Sequence, residues 1–183
     1  SVSKQMQSGG VTIGGGAAVT IQSMCSTPTE DVAATVAQIL RLEQAGCQIV
    51  RVAVPTMEAA QAIGQIRRAI HIPLVADIHF DYRLALECVR QGVDKIRINP
   101  GNIGSQERVR AVADACRDHG IPIRIGVNGG SLEKPLLEKY GGVTAQALVD
   151  SAMGHVRLLQ DCFFDNICIS VKCSHVPTNM QAY

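Results

Sequence analysis

Apolar residues recur along this chain with two alternating periods. The segments 48–54, 95–99 and 121–127 carry β-branched residues at every second position, whereas Val32, Val36, Ile39 and Leu42 recur at helical spacing. Read in order, the pattern predicts a short hairpin at 11–13 and 17–24 that feeds a strand over 19–24. A helix follows from near Pro28, with Thr27 as N-cap, Pro28 at the first helical position and Glu30 three residues after the cap, and Gly46 stops it. Next come a strand at 48–54, a helix at 57–70, a strand at 73–78, a helix at 82–91 and a strand at 95–99. The series continues with a helix at 106–119, a strand at 121–127, a broken helical region over 132–160 and a strand at 166–172. Each crossover is long enough for a parallel connection, so alternating units of this kind predict a parallel α/β fold.

One phrase recurs three times: Gln44-Ala45-Gly46-Cys47-Gln48-Ile49-Val50-Arg51, Arg90-Gln91-Gly92-Val93-Asp94-Lys95-Ile96-Arg97 and Asp118-His119-Gly120-Ile121-Pro122-Ile123-Arg124. Each reads as helix end, glycine, apolar strand, arginine. Repetition suits a TIM (β/α)₈-type barrel better than a doubly wound sheet, which concentrates phosphate binding in one Gly-rich turn, and no GxGxxG occurs. Six strands are legible where a barrel has eight. With no initial Met, and with Tyr183 falling in a helix-like pattern, the expectation is a barrel truncated after about the sixth strand, with residues 1–183 as one partial barrel domain.

Strand parity then sorts the polar residues. Side chains two apart share a face, so Asp77 groups with His79, Arg97 with Asn99, Arg124 with Gly126 and Asn128, and Ser170 with Lys172, while Arg51 lies between Val50 and Val52. The opposite faces are apolar: Ile78, Ile96, Ile98, Ile123, Ile125, Val127, Ile169 and Val171. The apolar set is expected against helices and the polar set in the barrel interior, near the mouth where strands end. Like charges about 6 Å apart at an effective dielectric near 20 repel by roughly 3 kcal/mol. Gathering Arg51, Arg97, Arg124 and Lys172 there therefore implies an anionic ligand, because Asp77 alone cannot balance four cations. Arginine suits phosphate through its bidentate fork, and amides at 101–104 and 129–131, each before a helix, add anion-binding capacity. The competing reading pairs these arginines with carboxylates or helix C-termini at the rim. His79 is either a satisfied core histidine or a group that donates to substrate or shuttles a proton, and Asp77 two residues earlier favours the second. Asp77 reads equally as an acid/base group or as one that orients arginine or binds a hydroxyl. Asn99 and Asn128 are candidates to bind substrate or fix arginine geometry.

Bulk properties narrow the partners. A net charge of +1 with three Tyr, three Phe and no Trp argues against nucleic acid, and no apolar run approaches the roughly 20 residues that span a bilayer. The first ten residues lack the apolar core of a signal peptide, which points to a cytoplasmic protein. Seven cysteines without a CxxC fit neither a disulfide framework nor a zinc site, and Cys168 and Cys173 have opposite strand parity, so reduced, packed thiols are expected.

Several stretches are long enough to carry a family signature: Gln22-Ser23-Met24, Arg51-Val52-Ala53-Val54-Pro55, Ala76-Asp77-Ile78-His79-Phe80-Asp81-Tyr82-Arg83, Arg97-Ile98-Asn99-Pro100-Gly101-Asn102-Ile103-Gly104, Gly126-Val127-Asn128-Gly129-Gly130-Ser131-Leu132-Glu133-Lys134 and Ser170-Val171-Lys172. Together, from about Val11 to Tyr183, they resemble the 4-hydroxy-3-methylbut-2-enyl diphosphate synthase family. The resemblance implies a TIM-barrel domain followed by a smaller domain that ligates a [4Fe-4S] cluster, with the ligands outside this chain. It implies reductive opening of 2-C-methyl-D-erythritol 2,4-cyclodiphosphate in isoprenoid biosynthesis, electrons from flavodoxin or ferredoxin, and a homodimer in which one subunit's cluster domain closes over its partner's barrel. It makes Arg51, Arg97, Arg124 and Lys172 the diphosphate-binding cations and places Asp77, His79, Asn99, Asn128 and Ser170 in the same mouth. This chain alone is then expected to lack redox chemistry. Two other readings remain: a dihydropteroate-synthase-like transferase barrel and a non-catalytic phosphate-binding module.

Overall fold

The computed structural model describes residues 6–8, 11–13, 21–79, 81–99, 103–128, 134–142, 144–162 and 164–172. Strands β1 (Met6–Ser8) and β2 (Val11–Ile13) pair antiparallel, with Ser8 opposite Val11. The hairpin therefore uses an upstream partner that the apolar pattern passed over, because Met6–Ser8 has no β-branched residue. Residues 14–20 of the expected hairpin lie outside the described residues.

The main sheet has six parallel strands in sequence order: β3 (Gln22–Met24), β4 (Ile49–Val54), β5 (Leu74–Ile78), β6 (Lys95–Ile98), β7 (Ile123–Asn128) and β8 (Ile167–Lys172). Helices α1 (Val32–Gln44), α2 (Met57–Ala69), α3 (Tyr82–Arg90), α4 (Gln106–Asp118), α5 (Lys134–Tyr140) and α6 (Ala145–Gln160) fill the crossovers. A doubly wound sheet reverses its strand order at a switch point, and this order never reverses. The sheet also curls. Four strand spacings separate β3 from β7, about 19 Å in a flat sheet, yet Arg124 Nη1 on β7 donates to Gln22 Oε1 on β3 at 3.0 Å. Only a sheet rolled towards closure brings those side chains together, so the architecture is the open part of a TIM-type barrel.

The repeated phrase folds the same way three times. After α1, α3 and α4, glycine takes a positive φ: 100° at Gly46, 90° at Gly92 and 67° at Gly120. The next residue then donates back to the carbonyl five positions earlier, Cys47 to Leu42 at 2.9 Å, Val93 to Cys88 at 3.2 Å and Ile121 to Cys116 at 2.8 Å. This is the Schellman ending, which satisfies the last helical carbonyls and turns the chain into the next strand. The residue after each glycine is buried, so the turn is fixed by packing as well as by hydrogen bonds.

The first helix begins later than the sequence pattern suggests. Asp31, not Thr27, is its N-cap, and the Asp31 side chain accepts from the Ala34 amide at 3.2 Å. Residues 25–29 are drawn elsewhere. Gln38 Oε1 accepts from Ser26 and Thr27 amides at 3.0 and 3.3 Å, and Thr29 Oγ1 donates to the Ala53 carbonyl at 2.5 Å. Those tertiary bonds fix Pro28 in a turn, closed by the Asp31 amide on the Pro28 carbonyl at 3.0 Å. The other helix starts follow local cap chemistry, with Thr56, Asp81, Ser105 and Thr144 accepting from the first turns of α2, α3, α4 and α6.

One core lies between the sheet and the helices. Val50, Val52, Val54, Leu74, Ala76, Ile78, Ile96, Ile98, Ile123 and Ile125 pack there against residues such as Ile39, Ile63, Ile66, Val112 and Leu148. The other face of the sheet holds Ile49, Val75, Lys95 and Cys168, all buried low in the barrel, with the polar residues above them. No helix among the described residues is long and apolar enough to cross a membrane.

The face assignment is testable. Ile96, fully buried between β6 and the helices, is expected to lose about 2–5 kcal/mol on substitution by Ala. Gln61→Ala on the exposed side of α2 should change stability by less than about 0.5 kcal/mol. Comparable losses in thermal unfolding of the two full-length variants would mean that the faces are wrongly assigned.

Candidate anion-binding site

Strand register brings the charged residues together. Ala53 is opposite Asp77, Asp77 opposite Arg97, and Arg97 opposite Arg124; the first three lie next to the last residue of β4, β5 and β6, whereas Arg124 is the second residue of β7. Inward alternation sets their side chains in the barrel interior, and the valines and isoleucines between them face the helices. Asp77 is the hub. Its Oδ1 accepts from Arg97 Nη1 at 3.0 Å, and its Oδ2 lies 3.5 Å from Arg51 Nε. Arg51 Nε also donates to the Met24 thioether at 3.1 Å, while Arg124 is held by Gln22. The carboxylate side chain is 11% exposed against 31% for Arg51 and 23% for Arg97, so the anchor is sequestered and the cations reach towards solvent.

Two cations thus share one carboxylate, with Arg124 close by. Burial first, and then repulsion from Arg97, hold the Arg51 guanidinium below its ordinary value, with Asp77 opposing. For Arg124, burial again leads, followed by repulsion from Arg51 and Arg97. A site in which Arg51 and Arg124 are disfavoured by burial and by neighbouring cations is electrostatically suited to an anion with more than one charge. The planar forks add donors in the geometry that phosphate oxygens accept.

His79 is half-buried just past β5, its amide bonded to the Val54 carbonyl at 3.3 Å, and Asn99 is half-buried just past β6. Both positions fall at the strand ends nearest Asp77 and Arg97. Ser170 pairs in register with Gly126, and Asn128 with Lys172, which puts the backbone of all three candidates at the same ends of β7 and β8. The side chains of Asn128, Ser170 and Lys172 lie outside the described residues, as do 100–102 and 129–133 of the two expected amide-rich loops. A cleft of about 300 Å³ next to the mouth is lined by Asp81, Tyr82, Arg83 and Arg108, with Arg108 stacked over the Tyr82 ring at 5.2 Å.

Three contributors were given no role by reading the sequence: Gln22, Met24 and Lys95. The parity rule applied to the short β3 would have found the first two, since Met24 is opposite Arg51. Lys95 has the parity of Arg97 but lies a layer lower, 3% exposed, with Nζ donating to Cys168 Sγ at 3.6 Å. Burial dominates in holding this amine below its ordinary value. The Cys168 thiol opposes that shift and Arg124 adds to it.

The described thiols do not converge on one point. Six described cysteines are free and buried, and burial pushes the Cys88 thiol well up and the Cys116 thiol up to about 12. Cluster ligation needs thiolates converging on one point. No three His, Cys, Asp or Glu residues come together among the described residues, so these residues do not fit an iron–sulfur centre. Cys173 lies outside the described residues.

Comparison with known proteins now decides the family. The GcpE TIM-barrel domain matches residues 3–183. The chain belongs to that family. It is 58% identical, over 183 residues, to 4-hydroxy-3-methylbut-2-en-1-yl diphosphate synthase (flavodoxin) of Lysinibacillus sphaericus, covering 100% of this chain and 49% of that protein. The protein of the same name from Ruminiclostridium cellulolyticum is 56% identical over 180 residues, 98% of this chain and 51% of the relative. The chain thus spans about half the length of the curated relatives it matches. Among solved structures, dihydropteroate synthase from Xanthomonas albilineans superposes with a TM-score of 0.64 at 15% identity, over 91% of this chain and 65% of the other. That likeness shows a shared barrel fold.

Lys95 generates a prediction. Because its folded value is lowered, the unfolded chain binds more protons between that value and the ordinary lysine value near 10.4, and stability rises with pH across that window. Lys95→Met is therefore expected to be more stable than the parent at neutral pH, by up to about 4 kcal/mol. The advantage should shrink as pH approaches about 10. A variant less stable than the parent at all pH values in thermal unfolding would show that the Lys95–Cys168 contact is net stabilising.

Proposed function

We propose that this chain is the substrate-binding barrel of a 4-hydroxy-3-methylbut-2-enyl diphosphate synthase, and that its mouth holds the diphosphate of 2-C-methyl-D-erythritol 2,4-cyclodiphosphate. The observation that carries the reading is the Arg51–Asp77–Arg97 cluster with Arg124 beside it, two cations on one buried carboxylate and a third repelled by both. It occurs in a chain 56–58% identical to proteins of that name. Asn99, Asn128, Ser170 and Lys172 complete the proposed binding set. The relatives' name supplies flavodoxin as the electron donor. The reductive step belongs to a [4Fe-4S] centre borne by the other half of a protein of the relatives' length, acting in a cytoplasmic homodimer.

Within this chain the chemistry is binding and orientation. A cyclic diphosphate carries two phosphoryl groups, and arginine forks from β4, β6 and β7 approach it from three sides. Fixing both phosphates holds the sugar carbon skeleton in one orientation and lowers the entropy lost on reaction. Both Asp77 oxygens are engaged by arginines, which supports a positioning role for Asp77. His79, half-buried at the end of β5, is the group proposed to donate to substrate or carry a proton.

Two measurements test this reading. Calorimetry of the full-length protein with the cyclodiphosphate should show Arg97→Ala weakened by about 10–100-fold, the equivalent of losing one charge-assisted hydrogen bond. Unchanged affinity would remove Arg97 from the site. Asp77→Asn should raise the dissociation constant without changing the shape of the pH profile of turnover. Disappearance of a limb of that profile would make Asp77 a proton carrier instead.

A further inference from the structure

Gly126 lies inside β7, two residues beyond Arg124 and therefore on the same strand face. Its φ is not among the positive values of the chain, so the backbone conformation does not demand glycine there. Glycine within a strand weakens it and commonly marks a place where another group comes close. Here that group is Arg97 of the neighbouring strand. A Cβ built on Gly126 would stand 2.1 Å from Arg97 Nη2, 2.5 Å from Cζ and 2.6 Å from Nε, all shorter than any real Cβ contact. The clash involves the Nε–Nη2 side of the guanidinium. On the remaining nitrogen, Nη1 is held by Asp77 Oδ1 at 3.0 Å, so Arg97 cannot swing away from position 126 without leaving its carboxylate. Arg97 Nε is buried and has no hydrogen-bond partner among the described residues, which leaves that edge with an unsatisfied donor.

We propose that Gly126 is a positioning residue. By lacking a side chain it lets the Arg97 guanidinium lie over β7 while Nη1 stays on Asp77, and this fixes the orientation in which the fork meets a phosphate oxygen. Asp77 and Gly126 act on opposite sides of one fork: the first pulls on Nη1, and the second leaves room for the other two nitrogens. Alanine would push the fork off its carboxylate or tilt it out of line with the ligand. The inference rests on the diphosphate reading of the mouth.

The test is a double-mutant cycle on the full-length protein, with inorganic diphosphate and the cyclodiphosphate as probes in calorimetry and with thermal unfolding followed in parallel. Gly126→Ala is expected to weaken binding at least tenfold when residue 97 is arginine. The change should be less than twofold in the Arg97→Lys background, because lysine has no fork to collide with the new methyl. Affinity within twofold of the parent for Gly126→Ala, or an equal loss in both backgrounds, would overturn the proposal. If Gly126→Ala does not accumulate as folded protein, the same cycle is read on the yield of soluble folded protein, which Arg97→Lys must restore; a yield that stays low with lysine would again overturn it. An Arg97→Ala variant that binds both probes like the parent would instead bring down the diphosphate reading itself, and with it any role for Gly126 in binding.

Discussion

The Asp77 carboxylate is the interaction on which the interior depends. Without it, Arg51 and Arg97 would face each other and Arg124 across a partly desolvated space, where like charges a few ångströms apart cost several kcal/mol. One buried carboxylate that accepts from Arg97 and pairs with Arg51 at 3.5 Å offsets part of that cost and holds both side chains beside it. It does not neutralise the site. The remaining positive charge suits the mouth electrostatically to an anion, and Asp77 sets how much of it is left.

The rolled sheet makes this arrangement possible. Arg124 reaches Gln22 only because β7 has curled round towards β3. Below that layer the interior is filled by Ile49, Val75, Cys168 and the stem of Lys95, so the cations rest on a packed floor. Burying an ammonium beside a thiol is a costly way to fill that floor, and the depressed affinity of Lys95 for its proton follows from that burial and from Arg124 above it.

Much of the fold was legible because the repeat unit carries its own boundaries. Gly46, Gly92 and Gly120 each end a helix with the same turn, and each is followed by a buried residue that starts the run into the next strand. Where a start signal competed with tertiary contacts, the local reading failed. Thr27-Pro28-Thr29-Glu30 has the chemistry of a helix start, yet Gln38 and the Ala53 carbonyl claim its polar groups, and Asp31 caps the helix instead. Similarly, Arg51, Asp77, Arg97 and Arg124 were identifiable by parity, whereas Gln22 and Met24 belong to a strand too short for its alternation to stand out.

By itself the sequence determined which residues face inward and which face the helices, because a period of two leaves a strand no other choice once one face is apolar. It also determined the direction of the polar ends, because Asp77 and Arg97 each come one residue before the end of their strands. Only the tertiary structure decided who touches whom. The sharing of Asp77 between two arginines, the descent of Lys95 to the floor and the seating of Arg97 over Gly126 depend on the stagger of neighbouring strands and on the curl of the sheet, neither of which is written in the alternation of any single strand.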